Sequence, residues 1–264
     1  MDKQESLPRE LTETEAAAIE GAGLLANLGK RVIHVGGGPS TDQLLELGRF
    51  EPGQHVLDAG CGVGSTAIEI ASRFGCDVTA IDIAPSMVDR AAANVRAAGL
   101  EESVSVRQGD ILALDSPDDT FDRVVIEAVV MFVDRDRAAR EVVRVCKPGG
   151  YVVNHEAYFV EETPDEVLES SQELFPGMVL ETPDGWVELY RSAGLTEIEY
   201  VSGSAEFFGP AYMIRDEGLV ATLKILGRLL THPASLRHMA WMGPRVRRVQ
   251  PYVDYIVLAG RKPT

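Results

Sequence analysis

The chain has 264 residues, of which 45% are hydrophobic and 25% charged, and its net charge is −16. This composition is typical of a globular protein with a substantial core, and the negative charge argues against nonspecific binding of DNA or RNA. The three cysteines, Cys61, Cys76 and Cys146, lack the spacing of a zinc site or a disulfide framework, so we expect no metal. Because the first 20 residues lack an apolar signal core and no apolar run is long enough to cross a bilayer, we expect a cytoplasmic protein.

Helical patterns come first along the chain. Residues 11–28 form an alanine-rich helix that Gly29 ends, and a second helix begins near Pro39. Predicted strands then cover 55–58, 77–82, 104–108, 123–128 and 151–154, and the predicted helices between them cover 65–74, 85–98 and 135–146. This alternation predicts βαβ units with right-handed crossovers around a mostly parallel sheet.

The alternation stops after Tyr158. Residues 161–184 are acidic and interrupted by prolines, which indicates an insertion. The elements predicted beyond this point are helices over 165–174, 184–193 and 217–230, a basic stretch over 235–249, and strands over 196–201 and 253–259. The last two strands are separated by about fifty residues, far more than an ordinary hairpin loop needs.

A glycine-rich turn follows the first predicted strand. The segment Val56-Leu57-Asp58-Ala59-Gly60-Cys61-Gly62-Val63-Gly64 leads directly into a predicted helix. Glycines allow a tight turn and a close approach of a ligand to the backbone, and the helix N-terminus directs free N–H groups at that ligand. The acid two residues before the first glycine would repel a pyrophosphate, but it can accept a hydrogen bond from an ammonium group.

Acidic side chains also stand at the ends of the next strands. Asp82 ends the second strand, Asp110 follows the third, and Glu127 lies at the end of the fourth. Ligands of open parallel sheets bind beyond the carboxyl ends of the strands, where the strand order reverses. We therefore expect these acids and the glycine turn to face one binding site.

These motifs resemble those of the class I methyltransferases that depend on S-adenosylmethionine (SAM), and of their small-molecule branch in particular, which contains quinone, sterol and natural-product methyltransferases. The resemblance runs from His34 to Glu156 and includes Phe121-Asp122-Arg123-Val124-Val125 and Lys147-Pro148-Gly149-Gly150-Tyr151. It implies an α/β fold: a doubly wound, mostly parallel, seven-stranded sheet with helices on both faces, an antiparallel last strand and a helical insertion before that strand.

The resemblance also implies a role for individual residues. Asp82 would bind the ribose hydroxyls, Asp110 the adenine amino group, and Glu127 would face the sulfonium. The full set of expected cofactor-binding residues is Asp58, Gly60, Cys61, Gly62, Asp82, Ile83, Met87, Gly109, Asp110, Ile111 and Glu127. The expected product of the cofactor is S-adenosylhomocysteine.

We expect one methyltransferase domain over residues 1–264. Its expected parts are N-terminal helices over the cofactor (1–48), a SAM-binding core (49–158), an insertion with a helix (159–194) and a helical cap (203–252). The expected activity is transfer of a methyl group, by in-line displacement, to a small and apolar acceptor such as a lipid, quinone or natural product. The sequence leaves two alternatives open: a catalytically silent SAM-binding subunit of a partner enzyme, and a synthase with this fold that transfers no methyl group.

Four residues are candidate general bases: His34, Glu127, His155 and Glu156. A histidine in the loop before the second helix can remove a proton near neutral pH, although it can equally be bonded to the backbone. His155 and Glu156 end the predicted fifth strand, where they would either face the pocket or lie at its edge. Methyl transfer from a sulfonium depends mainly on alignment and exclusion of water, so a base is not required.

The charge is unevenly distributed. Residues 211–264 contain nine basic and three acidic residues, whereas residues 1–210 contain 16 basic and 38 acidic ones. A basic stretch beside an apolar helix face fits a lid packed on the acidic core, and it fits peripheral contact with the inner face of a membrane. The expected partner is a small-molecule substrate and not a nucleic acid, and the oligomeric state stays open.

Overall fold

A seven-stranded sheet organises the computed structural model, which describes residues 9–204, 209–231 and 233–264. The strands are β1 (His55–Ala59), β2 (Asp77–Asp82), β3 (Val104–Gln108), β4 (Phe121–Glu127), β5 (Cys146–Phe159), β6 (Thr196–Ser204) and β7 (Val253–Arg261). Their order is β3-β2-β1-β4-β5-β7-β6, with β1 to β5 parallel and β7 antiparallel to both of its neighbours. This arrangement confirms the predicted fold class.

Helices pack on both faces of the sheet. They are α1 (Glu13–Leu28), α2 (Gly37–Leu47), α3 (Ser65–Phe74), α4 (Pro85–Ala98), α5 (Arg135–Val145), α6 (Asp165–Leu174), α7 (Pro183–Ser192), α8 (Pro210–Glu217), α9 (Leu219–Thr231) and α10 (Pro233–Val249). The bounds of α3, α4 and α6 are those predicted. None of the helices in the described ranges is long and apolar enough to cross a membrane.

The core has one layer on each face of the sheet. On one face, Leu44, Leu45 and Ile70 from α2 and α3 are completely or almost completely buried. On the other face, Trp186 and Tyr190 of α7 are buried completely, and the Trp186 indole donates a hydrogen bond to the Ala157 carbonyl at 3.0 Å.

Two predicted elements are corrected by the structure. Strand β5 extends to Phe159, well beyond the predicted 151–154, because it pairs with β7 at every position from Tyr151 to Phe159. The helix predicted over 217–230 does not start at Glu217, which instead ends α8. Gly218, with a φ of +81°, separates it from α9, because a residue with a positive φ cannot continue a right-handed helix.

The helices α8, α9 and α10 form the cap, the segment between β6 and β7. Helix α10 packs against α6, α9 against α1, and α8 against α2. The cap therefore covers the loops that follow the carboxyl ends of the parallel strands, where the sequence places its acids and glycines.

Candidate functional site

A cavity of about 1040 Å³ lies between the sheet, α1 and the cap. All eleven residues expected to bind the cofactor line it, and so does His34. They converge because their strands are parallel and end at one edge of the sheet. His155 and Glu156 are not among the lining residues.

The glycine turn between β1 and α3 forms one wall of the cavity. Gly60 has a φ of +84°, and a Cβ atom there would lie 2.4 Å from Cγ2 of Val129. Gly62 has a φ of +52° but faces open space, with no atom within 4 Å of such a Cβ. The turn is fixed by the N–H groups of Gly60 and Cys61, which both donate to the Ile81 carbonyl at 2.8 Å. Glycine is therefore required for packing at Gly60 and for backbone conformation at both positions.

Asp82 is held rigidly at the end of β2. Its Oδ2 accepts the Gly62 N–H at 2.9 Å and its Oδ1 accepts the Ala84 N–H at 2.9 Å. Each oxygen keeps a further lone pair for a ligand hydroxyl. Burial raises the pKa of the carboxyl to about 6.

Asp58 is the most deeply buried acid of the site, with 1% of its surface exposed. Its Oδ2 has no hydrogen-bond partner among the described residues. Burial raises its pKa to about 8, and the negative charges of Glu127 and Asp82 add to the effect. A buried carboxyl with one unpaired oxygen fits a cationic ligand group, and SAM carries an ammonium and a sulfonium.

The third acid, Asp110, is tied to the start of the described chain. Its Oδ1 accepts the Leu112 N–H at 2.9 Å, and its Oδ2 accepts Arg9 Nε at 2.7 Å. Arg9 also pairs with Glu15 of α1. This bridge closes the expected adenine end of the cavity, and no sequence signal indicated it, because the two residues are 101 positions apart.

Glu127 is the centre of a second polar group. Its Oε1 accepts the Thr41 hydroxyl at 2.8 Å, and its Oε2 accepts the Thr66 hydroxyl at 2.7 Å. His34 Nε2 lies 3.2 Å from Oε1. Burial acts to raise the pKa of Glu127, but the two nearby histidines, His34 and His155, and the two hydroxyls outweigh it, so that the pKa is lowered.

His155 lies within β5 and not at its end, contrary to the expectation. Its side chain is fully buried, with its ring centroid 5.0 Å from that of His34 and 5.6 Å from that of Tyr255. Burial lowers its pKa to about 3, so the imidazole is neutral. A substrate does not reach it directly, and its catalytic role stays a prediction.

Glu156 also lies within β5, and it is not among the residues that line the cavity. It accepts the backbone N–H groups of Val129 at 3.3 Å, Val130 at 2.8 Å and Met131 at 3.3 Å. Burial raises its pKa to about 8. The carboxylate accepts hydrogen bonds from the turn after β4, which makes Glu156 a positioning residue for the cavity wall, and its role as a base stays a prediction.

The cap and the loop that carries His34 are joined by Glu217, whose side chain is fully buried. Its Oε1 accepts the N–H groups of Arg31 at 2.8 Å and Val32 at 3.1 Å, and Lys30 lies 3.7 Å away. Sequence reasoning missed this contact, because an acid at a predicted helix start is normally exposed.

The rest of the cavity wall is mostly apolar, although Arg215, Asp216 and Arg247 of the cap also line it. It is lined by side chains from the turn after β4, the α6 region and the cap, including Met131, Phe132, Phe175, Met239, Trp241 and Met242. Trp241 of the cap is 42% exposed and lines the cavity, whereas Trp186 of α7 is buried in the core and does not.

Comparison with known proteins identifies the family. A family profile described as a methyltransferase domain matches residues 56–150. Methyltransferase GfsG of Streptomyces halstedii is 33% identical over 189 residues, which cover 69% of this chain and 68% of that protein.

Solved structures share the fold. The [4+2]-cyclase SpnF aligns with a TM-score of 0.71 at 22% identity, over 98% of this chain and 99% of that one. A SAM-dependent methyltransferase from Geobacter sulfurreducens, in complex with S-adenosylhomocysteine, aligns with a TM-score of 0.69 at 21% identity, over 90% and 96% of the two chains. The chain belongs to the class I, Rossmann-like, SAM-dependent methyltransferases.

Proposed function

We propose that this methyltransferase modifies a small and largely apolar acceptor, of the size of a lipid, quinone or natural product, inside the cavity under the cap. The observation that carries the proposal is the composition of the cavity wall. At about 1040 Å³ the cavity is at the upper end of the range for sites that bind one small molecule. Its cap side offers methionine and aromatic side chains, such as Met239 and Trp241, and these suit an apolar acceptor.

We propose further that the acids at the strand ends hold SAM. Asp82 has two oxygens fixed for the ribose hydroxyls, Asp58 has a free oxygen for the ammonium, and Gly62 leaves open space beside the methionine portion. When bound, SAM supplies an electrophilic methyl group. The residues around it align the acceptor and exclude water, because α1 and the cap cover the cavity.

Incubation of the purified protein with methyl-labelled SAM and an apolar extract of lipids and quinones tests the proposal. We expect a labelled apolar product, and Trp241→Ala should reduce its formation while leaving SAM affinity unchanged. Tight SAM binding without any labelled product would instead support the silent subunit or the synthase, and the fold shared with a cyclase keeps the latter open. Label that appears only in polar products would contradict the apolar acceptor.

We propose also that α9 brings the enzyme to the inner face of a membrane, where such acceptors reside. Leu219, Val220, Leu223 and Leu230 of this helix are between 57% and 73% exposed. Exposed Lys224 lies on the same helix, so the surface combines apolar and basic groups, as interfacial helices do.

Flotation with vesicles tests this contact. We expect the protein to float with anionic vesicles and less with neutral ones. Leu223→Ser together with Leu230→Ser should abolish flotation, whereas Leu168→Ser, which changes an exposed leucine on α6, serves as the matched control. Equal recovery of the double variant and the control variant would contradict the proposal.

A further inference from the structure

Two imidazoles and one carboxylate meet beneath the cavity. His34, Glu127 and His155 each offer one atom that can bind a metal ion, and these three atoms lie within 4.8 Å of one another. The three residues come from different elements: the loop before α2, the end of β4 and the middle of β5. Glu127 and His155 are register partners on neighbouring strands, so the sheet itself fixes their separation.

The contacts of His34 direct its Nε2 at this point. Its Nδ1 lies 3.0 Å from the Val35 carbonyl, which can only accept, so the hydrogen is on Nδ1. Its Nε2 lies 3.2 Å from the Glu127 Oε1 and 3.2 Å from the Thr41 hydroxyl, so this nitrogen faces the carboxylate. A backbone carbonyl that fixes Nδ1–H is also the usual outer partner of a histidine that binds a metal through Nε2.

His155 provides the second, independent observation. Its side chain is completely buried, and neither ring nitrogen makes a hydrogen bond of normal geometry, although the backbone of Val35 is close enough to interact with the ring. Buried polar atoms of this kind are rare, because leaving them unpaired is costly. A group that accepts lone pairs from both histidines and from Glu127 would give the buried His155 ring a full partner.

We propose that His34, Glu127 and His155 form a binding site for a divalent transition metal ion of the Zn²⁺ or Fe²⁺ class. Two imidazoles and one carboxylate are a known donor set for such ions and leave coordination positions free for a ligand oxygen. Thr41 and Thr66 hold the carboxylate from outside, as the outer shell of a metal site does. The cysteine pattern, which gave no metal signature, bears only on thiolate sites.

Titration of the protein, after treatment with a chelator, with CoCl₂ and ZnCl₂ tests this site by visible absorption and calorimetry. We expect one equivalent of either ion per chain. Removal of an outer-shell partner already costs 10–100-fold in metal affinity, so His155→Phe and Glu127→Gln should weaken binding by at least about 100-fold. His55→Phe is the matched control, since His55 lies on β1 of the same sheet, outside the cavity, and contacts Thr79.

Absence of binding by the wild-type protein would overturn the proposal, and so would equal affinity in the control and the two site variants. If a variant fails to fold, X-ray absorption of the zinc-loaded wild-type protein decides. Two imidazoles and oxygen at about 2.0–2.2 Å support the site, whereas sulfur at about 2.3 Å would move the ion to a cysteine. None of these readouts depends on methyl transfer, so the metal site and the proposed function can fail separately.

Discussion

Gly60→Ala should mainly lower stability and Gly62→Ala should mainly lower SAM affinity, although the two glycines are only two residues apart in one turn. At Gly60 the new Cβ must adopt a φ of +84° and lies 2.4 Å from Val129 Cγ2. The left-handed conformation costs about 1–2 kcal/mol and overpacking about 1–3 kcal/mol, so Gly60→Ala should lose about 2–5 kcal/mol of unfolding free energy. At Gly62 the new Cβ meets no atom within 4 Å, which leaves only the conformational cost of about 1–2 kcal/mol.

For affinity for SAM the order of the two substitutions should be reversed, with the larger loss in Gly62→Ala. The Cβ of Gly62→Ala occupies the open space that we assign to the methionine portion of SAM, so this variant should lose affinity out of proportion to its small loss of stability. Urea denaturation gives the unfolding free energy of each variant, and calorimetry with SAM gives its dissociation constant. Equal stability of the two variants would refute the packing argument. Wild-type affinity in Gly62→Ala would refute the placement of the cofactor.

Three further substitutions examine other parts of the site. Burial raises the pKa of Asp82 to about 6, and the ionised carboxylate is the better acceptor for ribose hydroxyls. SAM affinity, measured by calorimetry, should therefore rise between pH 5 and pH 7, and Asp82→Asn should remove that rise. Glu156→Ala leaves up to three backbone N–H groups of the turn after β4 unpaired, at a cost of about 1–3 kcal/mol each. The midpoint of urea denaturation of this variant should therefore fall sharply, and a wild-type midpoint would refute the positioning role. Glu217→Ala disconnects the cap from the loop before His34, and hydrogen exchange should then accelerate in 30–36 and in α8 but not in β1 to β5.

The central βαβ units could be predicted because their signals are local. Proline and glycine mark both ends of α4, and a single glycine ends α3, so the predicted bounds match the observed ones. The acids Asp58, Asp82 and Glu127 each lie at the carboxyl end of a strand, and parallel strands bring such positions to one edge whatever the details of packing. Topology alone therefore placed them around one cavity.

Contacts between distant parts of the chain could not be predicted in this way. The Arg9–Asp110 pair joins residues 101 positions apart, and Glu217 accepts hydrogen bonds from a loop 186 positions earlier. The length of β5 depends on β7, which lies beyond the cap in the sequence. A short-range pattern contains no information on any of these partners, and for that reason His155 was placed at a strand end although it lies in the middle of a strand.

Residues with an unfavourable backbone conformation or with buried, unpaired polar atoms are concentrated around Glu127. The residue after it, Ala128, has a φ of +58°, a conformation that costs a non-glycine residue about 1–2 kcal/mol. On the neighbouring strands, Asp58 and His155 are buried with side-chain atoms that lack partners. A fold driven by stability alone would remove each of these costs with a glycine or an apolar side chain, because the core around them is otherwise well packed. Their coincidence at one point of the sheet supports our proposal that the wall formed by β1, β4 and β5 binds a ligand, whose free energy of binding would offset these costs.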